Sequence, residues 1–266
     1  MQEHFLAERG IAYRTNTFVP GRATLLLIHG FSASSSGWRE FEPLWEHKYN
    51  LLIPDLRGHG KSKRYPDFRD YAAREHAADL YALLAATGTK ECVAVGYSLG
   101  VELALELALA HKTMVQKLVL IGPLYRLSSL WRIRLGRPLL WIVAKFCNVL
   151  PPNLYLRGYV DYQQFKNSGD ASLGRIWADF ARTGPRAYFH SLRQIFNFPD
   201  DRYWSTVPQP TLILCGAHDT LSPPANALSL VQSMQKAELR VVGEGDHMLP
   251  YHNAGAVAAA IEQFVG

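Results

Sequence analysis

The feature that most constrains the fold of this chain is a regular alternation of short apolar runs with longer stretches that fit helices. The runs, rich in Leu, Ile and Val, cover residues 24–28, 51–54, 92–95, 117–121, 211–214 and 239–242. The helix-like stretches cover residues 38–47, 69–87, 99–111, 225–235 and 254–265. Each run is apolar on successive residues, which predicts a strand buried on both faces. The alternation predicts an α/β fold, with a mostly parallel sheet and helices on both of its faces.

The alternation stops after residue 121 and resumes at residue 211. The segment between is rich in Trp, Tyr, Leu and Arg and is punctuated by Pro and Gly. We therefore predict a core formed by residues 1–122 and 206–266, with a helical lid inserted at residues 123–205. The apolar residues Phe5, Leu6, Ile11 and Tyr13 near the N-terminus predict an additional hairpin at one edge of the sheet.

Composition and cysteine usage predict one soluble, cytoplasmic body. A chain of 266 residues with 48% hydrophobic content can bury a single large core. The first ten residues lack the pattern of a secretory signal. The longest apolar run, residues 138–150, contains Lys145 and is shorter than the roughly 20 residues that span a bilayer. Cys92, Cys147 and Cys215 form no CxxC pair, which favours a reducing compartment.

The strongest chemical signal is the pentapeptide Gly96-Tyr97-Ser98-Leu99-Gly100, which lies between a predicted strand and a predicted helix. A serine in this setting occupies a tight strand-to-helix turn, where flanking glycines relieve crowding and the hydroxyl projects from the sheet. The G-x-S-x-G pattern also occurs by chance, but here both neighbouring elements fit the motif. Ser98 is therefore the predicted nucleophile.

A serine nucleophile needs a base and a group that orients the base. Asp219 follows the predicted strand 211–214, and His247 follows the predicted strand 239–242, so the chain order is Ser, Asp, His. Asp219 alone would also fit a helix N-cap. Glu102 and Asp246 are alternative carboxylates, but Asp246 adjoins the histidine and would point away from it in an extended chain. We assign His247 as the base and Asp219 as its orienter.

Acyl transfer also needs hydrogen-bond donors aimed at the oxygen that becomes negative, each contributing about 3 kcal/mol in the transition state. The N–H of Leu99, directly after the nucleophile, is one predicted donor. The N–H of Phe31, in the loop after the strand at 24–28, is the other. These two groups form the predicted oxyanion hole.

No signal for a cofactor, a metal or nucleic acid is strong enough to keep. Gly60-Lys61-Ser62 resembles the end of a phosphate-binding loop, but Asp55 stands where that motif needs glycine. The sequence contains no HExxH motif and no paired-cysteine spacing. The net charge of +5 does not by itself indicate a nucleic-acid partner.

Taken together, the motifs resemble those of the α/β-hydrolase superfamily. Besides the Ser98 pentapeptide, the resemblance rests on His29-Gly30-Phe31, on Asp55-Leu56-Arg57-Gly58-His59-Gly60-Lys61-Ser62, on Gly216-Ala217-His218-Asp219 and on Gly245-Asp246-His247. It implies a Ser98–Asp219–His247 triad and an oxyanion hole at Phe31 and Leu99. Val101 departs from the small residue that many members have there. Serine at the elbow disfavours the related epoxide hydrolases and dehalogenases, which resemble this pattern but have aspartate.

Basic residues are concentrated in the predicted lid, where residues 123–204 contain twelve Lys and Arg against five Asp and Glu. The basic residues Arg126, Arg132, Arg134, Arg137, Lys145 and Arg157 interleave with Leu130, Trp131, Leu135, Leu139, Trp141 and Phe146. We expect an amphipathic lid with its aromatic residues facing the cleft and its arginines in water. The alternative is a basic surface for an anionic carrier protein, coenzyme A or a membrane. The lid charge resembles that of esterases acting on pimeloyl-carrier-protein methyl esters.

The sequence thus predicts a carboxylesterase-type serine hydrolase for a hydrophobic small-molecule ester, working through an acyl-enzyme without a cofactor. Thioester hydrolysis, hydrolysis of esters on an acyl carrier protein, and carbon–carbon bond hydrolysis remain alternatives. A hydrolase-like receptor that binds a ligand without turnover is the alternative outside the enzymes.

Overall fold

The computed structural model describes residues 1–125, 131–169, 172–197 and 204–266, with only the backbone described for residues 131–134. Within these residues, eight strands form one sheet in the order β1-β2-β4-β3-β5-β6-β7-β8. The strands are β1 Gln2–Leu6, β2 Ile11–Thr15, β3 Thr24–Ile28, β4 Asn50–Pro54, β5 Cys92–Tyr97, β6 Val115–Ile121, β7 Thr211–Gly216 and β8 Ala237–Val242. The pairs from β4 to β8 are parallel, while β2 is antiparallel to both β1 and β4. The predicted mostly parallel α/β sheet and its N-terminal edge hairpin are confirmed.

Helices cover both faces of the sheet, as predicted. They are α1 Glu42–Trp45, α2 Ala73–Ala86, α3 Leu99–Ala110, α4 Trp131–Cys147, α5 Leu173–Thr183, α6 Pro185–Asn197, α7 Pro224–Ser233, α8 Leu249–His252 and α9 Ala254–Val265. Alternate side chains of β3 point to opposite faces, so Leu26 packs in a core with α2, α3 and α7, whereas Leu27 packs in a second core with α9. The carboxyl ends of the parallel strands therefore lie between two packed layers.

Two predicted helices and one predicted strand need correction. The helix expected at 38–47 is broken into a 3₁₀ turn at Ser35–Trp38 and the short α1. The helix expected at 69–87 begins only at Ala73, because the preceding Ala72 has an extended backbone (ψ 145°). The run 239–242 forms a strand, but its residues are only partly buried since β8 is an edge strand.

Helices α4, α5 and α6 all lie in the chain between β6 and β7, and α4 packs against α6. The expectation that the aromatic residues of this segment face the cleft is wrong for α4, where Leu135, Leu139, Trp141 and Phe146 are exposed. The predicted Arg126 and Leu130 lie outside the described residues. The limits 123–205 for the lid stay a prediction. In the described part of the chain, no helix combines the length and the apolarity needed to cross a bilayer.

Candidate active site

Ser98 lies at the turn between β5 and α3, in a backbone conformation that serine rarely adopts. Its φ is +50° and its ψ is −115°, and its N–H donates to the carbonyl of Ile121 on β6. The turn is tight enough to exclude side chains on either side. A Cβ at Gly96 would lie 2.3 Å from the Gly100 carbonyl oxygen, and one at Gly100 would lie 2.4 Å from that of Ile28. Only glycine fits at both positions, as the pentapeptide predicted.

The structure brings Ser98, His247 and Asp219 together from three separate strand ends. The distance from Ser98 Oγ to His247 Nε2 is 3.2 Å, and that from His247 Nδ1 to Asp219 Oδ2 is 2.9 Å. All three residues are buried. With Nδ1 protonated and facing the carboxylate, Nε2 presents its lone pair to the serine hydroxyl, which is the arrangement that a general base requires.

The loop after β7 fixes the Asp219 carboxylate. Its Oδ1 accepts hydrogen bonds from the N–H groups of Leu221 (2.8 Å) and Ser222 (2.7 Å), leaving Oδ2 to His247. Burial alone would raise the pKa of Asp219, but the hydrogen bond and charge of His247, together with the two amides, hold it below its ordinary value. The carboxylate therefore stays ionised beside the imidazole.

The alternative carboxylates are engaged elsewhere. Asp246 accepts from His252 Nδ1 at 2.8 Å and from the N–H of Met248 at 2.9 Å, so it braces the loop that carries His247. Glu102 lies buried in the first turn of α3 and lines a different cavity, beside Tyr71.

Gly122, at the end of β6, is a site residue that the sequence reasoning missed. Its φ is +58°, and a Cβ there would lie 3.0 Å from Cε1 and 3.2 Å from Nδ1 of His247. The missing side chain makes room for the imidazole. The signal in the sequence was a glycine directly after the predicted strand 117–121. In the structure this strand is β6, which lies between β5 and β7.

Phe31 and Leu99, the predicted donors, both lie beside Ser98. Leu99 is the first residue of α3, where backbone N–H groups have no acceptor within the helix. Phe31 lines the same cavity as Ser98, and a Cβ on the adjoining Gly30 would lie 3.3 Å from the Ser98 Cβ. The loop carrying Phe31 thus approaches the serine closely because residue 30 is glycine.

His29 orients the peptide unit that carries the Phe31 N–H. Its Nδ1 donates to the Gly30 carbonyl at 2.8 Å, while its Nε2 accepts from the N–H of Leu56 at 3.0 Å. Burial lowers the pKa of His29, which keeps the ring neutral, so that one ring nitrogen donates a hydrogen bond and the other accepts one. In a trans peptide the N–H of Phe31 points away from the Gly30 carbonyl, so fixing one fixes the other.

The segment 55–62, which carried part of the sequence resemblance, supports the site without entering it. Asp55 is fully buried and accepts from the N–H groups of Ser35 (2.7 Å) and Lys61 (2.8 Å) and from the hydroxyl of Tyr159 (3.1 Å). Arg57 makes two hydrogen bonds, of 2.7 and 2.8 Å, to the buried carboxylate of Asp79. These contacts tie the loop after β4 to the loop after β3 and to the predicted lid.

A cavity of about 140 Å³ opens onto the serine hydroxyl. Helices α5 and α6 close it from above, and residues after β3, β5 and β8 form its walls. Its lining comprises Phe31, Ser32, Ala33, Tyr97, Ser98, Arg175, Ile176, Asp179, Tyr188, Leu221, His247, Met248 and Tyr251. Four of the lining residues are aromatic, and one ion pair is set into the wall.

That ion pair joins Arg175 and Asp179, one turn apart on α5, at 2.8 Å. Asp179 also accepts from the Tyr162 hydroxyl at 2.8 Å. Burial raises the pKa of Asp179 to about 6, against the influence of Arg175 and Tyr162, which lower it. Sequence reasoning did not single out this pair, because an Arg and an Asp four residues apart on a helix are ordinary in sequence.

The described residues include no group of three or more His, Cys, Asp and Glu side chains arranged to hold a metal ion. The geometry at Ser98 is what a nucleophile, a base and an orienting acid require. A family model described as alpha/beta hydrolase fold matches residues 23–254, which include every one of these groups. The chain belongs to the α/β-hydrolase family.

Several α/β-hydrolases are similar to this chain over most of its length. The 2-hydroxymuconate semialdehyde hydrolase of Pseudomonas putida is 28% identical over 265 residues, covering 95% of this chain and 91% of the relative. The pimeloyl-[acyl-carrier protein] methyl ester esterase of Nitrosospira multiformis is 24% identical over 236 residues, covering 84% and 87%. Among solved structures, a thermophilic esterase from Thermogutta terrifontis superimposes with a TM-score of 0.78 at 20% identity, covering 100% and 98% of the two chains. This structural likeness shows the fold.

Proposed function

We propose that this α/β-hydrolase is a serine hydrolase that cleaves carboxylic esters through an acyl-enzyme intermediate. The observation that carries the proposal is the continuous contact from Asp219 through His247 to Ser98, at 2.9 and 3.2 Å, at the floor of a cavity. A hydroxyl is a weak nucleophile at neutral pH, and this contact supplies the base that activates it.

The proposed reaction proceeds in two halves. Ser98 Oγ attacks the ester carbonyl carbon while its proton passes to His247 Nε2, and the imidazolium returns that proton to the leaving alcohol as the C–O bond breaks. Water then attacks the acyl-enzyme, again giving its proton to Nε2, and the acid leaves as Ser98 recovers its proton. Asp219 keeps the imidazole in the tautomer that presents Nε2 and stabilises its transient positive charge.

In this proposal the N–H groups of Phe31 and Leu99 stabilise the oxyanion that forms in each half. Two features of the structure support these assignments. His29 fixes the orientation of the Phe31 peptide, and Leu99 begins a helix whose N-terminus carries partial positive charge. Preorganised donors of this kind act without reorganisation during the reaction.

The cavity favours small substrates. Its volume of about 140 Å³ is below the range of about 300–1,000 Å³ that is usual for sites holding drug-sized ligands. The aromatic rings of Phe31 and Tyr188, with centroids 4.6 Å apart, form an apolar wall suited to a hydrophobic acyl or alcohol group. We expect turnover to fall as the acyl chain of the ester is lengthened beyond what this wall accommodates.

The test is labelling with a fluorophosphonate probe together with hydrolysis of p-nitrophenyl esters of graded chain length. Ser98→Ala is expected to lose both labelling and turnover while keeping its fold, measured by circular dichroism. Ser191→Ala is a matched control, since Ser191 is also buried but lines a different cavity. Full turnover by Ser98→Ala would refute the proposal.

Carbon–carbon bond hydrolysis is a second candidate, because the P. putida relative is similar over 95% of this chain. Rates on matched ester, thioester and ketone substrates separate the two activities, and faster ketone cleavage would favour the second. Labelling and tight ligand binding without turnover would instead indicate a receptor. A cytoplasmic location remains part of the proposal, in keeping with three free, buried cysteines.

A further inference from the structure

One face of α4 presents an apolar surface to solvent. The exposed fractions of Leu135, Leu139, Ile142 and Phe146 are 71%, 65%, 50% and 74%. Their spacing of four, three and four residues places all four on one stripe of the helix, about 16 Å long. We call this surface, together with Trp141 and Val149, the α4 patch. A globular protein normally turns such a stripe towards its core.

The inner face of α4 is already occupied. Ala144 and Cys147 are buried, and the helix packs against α6. Rotating the helix to bury the outer stripe would expose these residues instead. The outward orientation of the α4 patch is therefore a consequence of how α4 is packed in this structure.

The α4 patch is continuous and has a basic margin. Trp141, Ile142, Phe146 and Val149 line one surface depression together with Lys145. The Lys145 ammonium lies 5.1 Å from the centre of the Trp141 ring. Helix α4 contains four Lys and Arg residues and no Asp or Glu. Exposed apolar residues bordered by Trp and by cations are typical of helices that lie in the interface of a bilayer.

A second exposed apolar pair lies on α5. Leu173 and Trp177 are one turn apart and exposed, whereas Arg175 and Asp179 on the same helix line the Ser98 cavity. Exposed apolar groups thus occur on two helices of the basic segment, each of which packs against α6. Scattered exposed apolar residues need no explanation, but an aligned set this large indicates a binding surface.

We propose that the α4 patch docks the protein on the surface of an anionic lipid bilayer, with the apolar stripe in the interface and Lys145 at the headgroups. Charge favours this occupant over a second copy of the chain, because α4 has four Lys and Arg residues and no Asp or Glu, so two facing copies would carry like charge without a compensating acid from either helix. An acidic carrier protein would match the charge but not the row of large apolar side chains. A bilayer interface accommodates both.

The test is co-flotation with vesicles of phosphatidylcholine, with and without phosphatidylglycerol, at two salt concentrations. Wild type is expected to float with the mixed vesicles, and less so at high salt. Phe146→Asp is expected to weaken this binding by about tenfold or more, because it removes a large exposed apolar group that would enter the bilayer interface. Lys145→Gln is expected to weaken it by about fivefold, on the mixed vesicles only.

Two controls keep the result interpretable. Leu228→Asp places the same charge on an exposed apolar position of α7, and it should bind vesicles as wild type does. Ser98→Ala should also bind as wild type does, so failure of the proposed catalysis leaves this measurement unaffected. Circular dichroism of each variant establishes that it is folded.

The proposal is overturned if wild type does not float with either vesicle, or if Phe146→Asp and Leu228→Asp bind equally well. It is also overturned if wild type is a dimer by light scattering that Phe146→Asp dissociates while vesicle binding is absent. Binding to an acidic acyl carrier protein in place of vesicles would contradict it in the same way.

Discussion

Replacing Gly122 with alanine tests the geometry of the site without changing any group that reacts. The new Cβ would lie 3.0 Å from His247 Cε1 and 3.2 Å from Nδ1, closer than ordinary van der Waals contact. The imidazole is held at 2.9 Å from Asp219 and 3.2 Å from Ser98, so it cannot retreat without lengthening one of these hydrogen bonds. A misplacement of catalytic groups by about 1 Å costs on the order of a hundredfold in rate, so a shift of a few tenths of an ångström predicts a loss of roughly fourfold.

Alanine at this position also strains the backbone, and the control must separate the two effects. Gly122 has φ +58°, and the left-handed conformation costs a non-glycine residue about 1–2 kcal/mol. Gly88 has φ +68°, and among the described residues no heavy atom lies within 4 Å of its added Cβ. Gly88→Ala therefore carries the same backbone strain without touching the site. Both variants should lose a similar free energy of unfolding from the backbone.

The assay is kcat/KM for a short p-nitrophenyl ester, with urea unfolding measured on the same samples. We expect Gly88→Ala to retain wild-type kcat/KM and Gly122→Ala to lose roughly fourfold under conditions where both variants are fully folded. Equal activity of the two variants would refute the reasoning, because His247 would then tolerate displacement from both of its partners.

Two further predictions concern buried charges. Arg57→Ala removes two hydrogen bonds to the buried Asp79 carboxylate and leaves Arg9, whose Nε donates to Oδ1 at 2.7 Å, as the remaining cation. We expect it to reduce the free energy of unfolding by about 2–3 kcal/mol in urea titrations, against less than about 1 kcal/mol for the exposed Lys48→Ala; similar losses would contradict this. Burial raises the pKa of Asp179 from 3.8 to about 6. Between these two pH values the folded protein binds more protons than the unfolded chain, so its free energy of unfolding falls as the pH rises. Asp179→Asn should reduce this fall in the free energy of unfolding by roughly 2–3 kcal/mol between about pH 4 and pH 7. If the free energies of unfolding of the two proteins change with pH in parallel, the buried carboxylate is not the source of the fall.

The sequence determined the sheet more closely than the helices. The strand predicted at 24–28 has the observed limits, because Thr24 followed by four successive apolar residues fits a central parallel strand that is buried on both faces. The helix predicted at 38–47 failed because apolar spacing did not reveal the turn at residues 39–41. The burial of β8 was overestimated because its own residues do not reveal that it lies at the edge of the described sheet.

The candidate site was predictable where it depends on motifs and not where it depends on packing. Ser98, Asp219 and His247 were assigned from short patterns at strand ends, and the structure places them in contact. Gly122 acts through the space it leaves, which appears only when β6 lies beside β5 and β7. The outward face of α4 was missed for the same reason, because its periodicity shows that a stripe exists but not what lies against it.

The strained backbone at Ser98 predicts which substitution at this position would stabilise the protein. With φ at +50°, serine there is less favourable for folding than glycine would be, by about 1 kcal/mol or more. A Ser98→Gly substitution would therefore yield a more stable protein that lacks the hydroxyl. If Ser98 is retained for its hydroxyl, selection for stability and selection for activity act in opposite directions at this residue, so a laboratory lineage selected for heat resistance alone is expected to lose this serine.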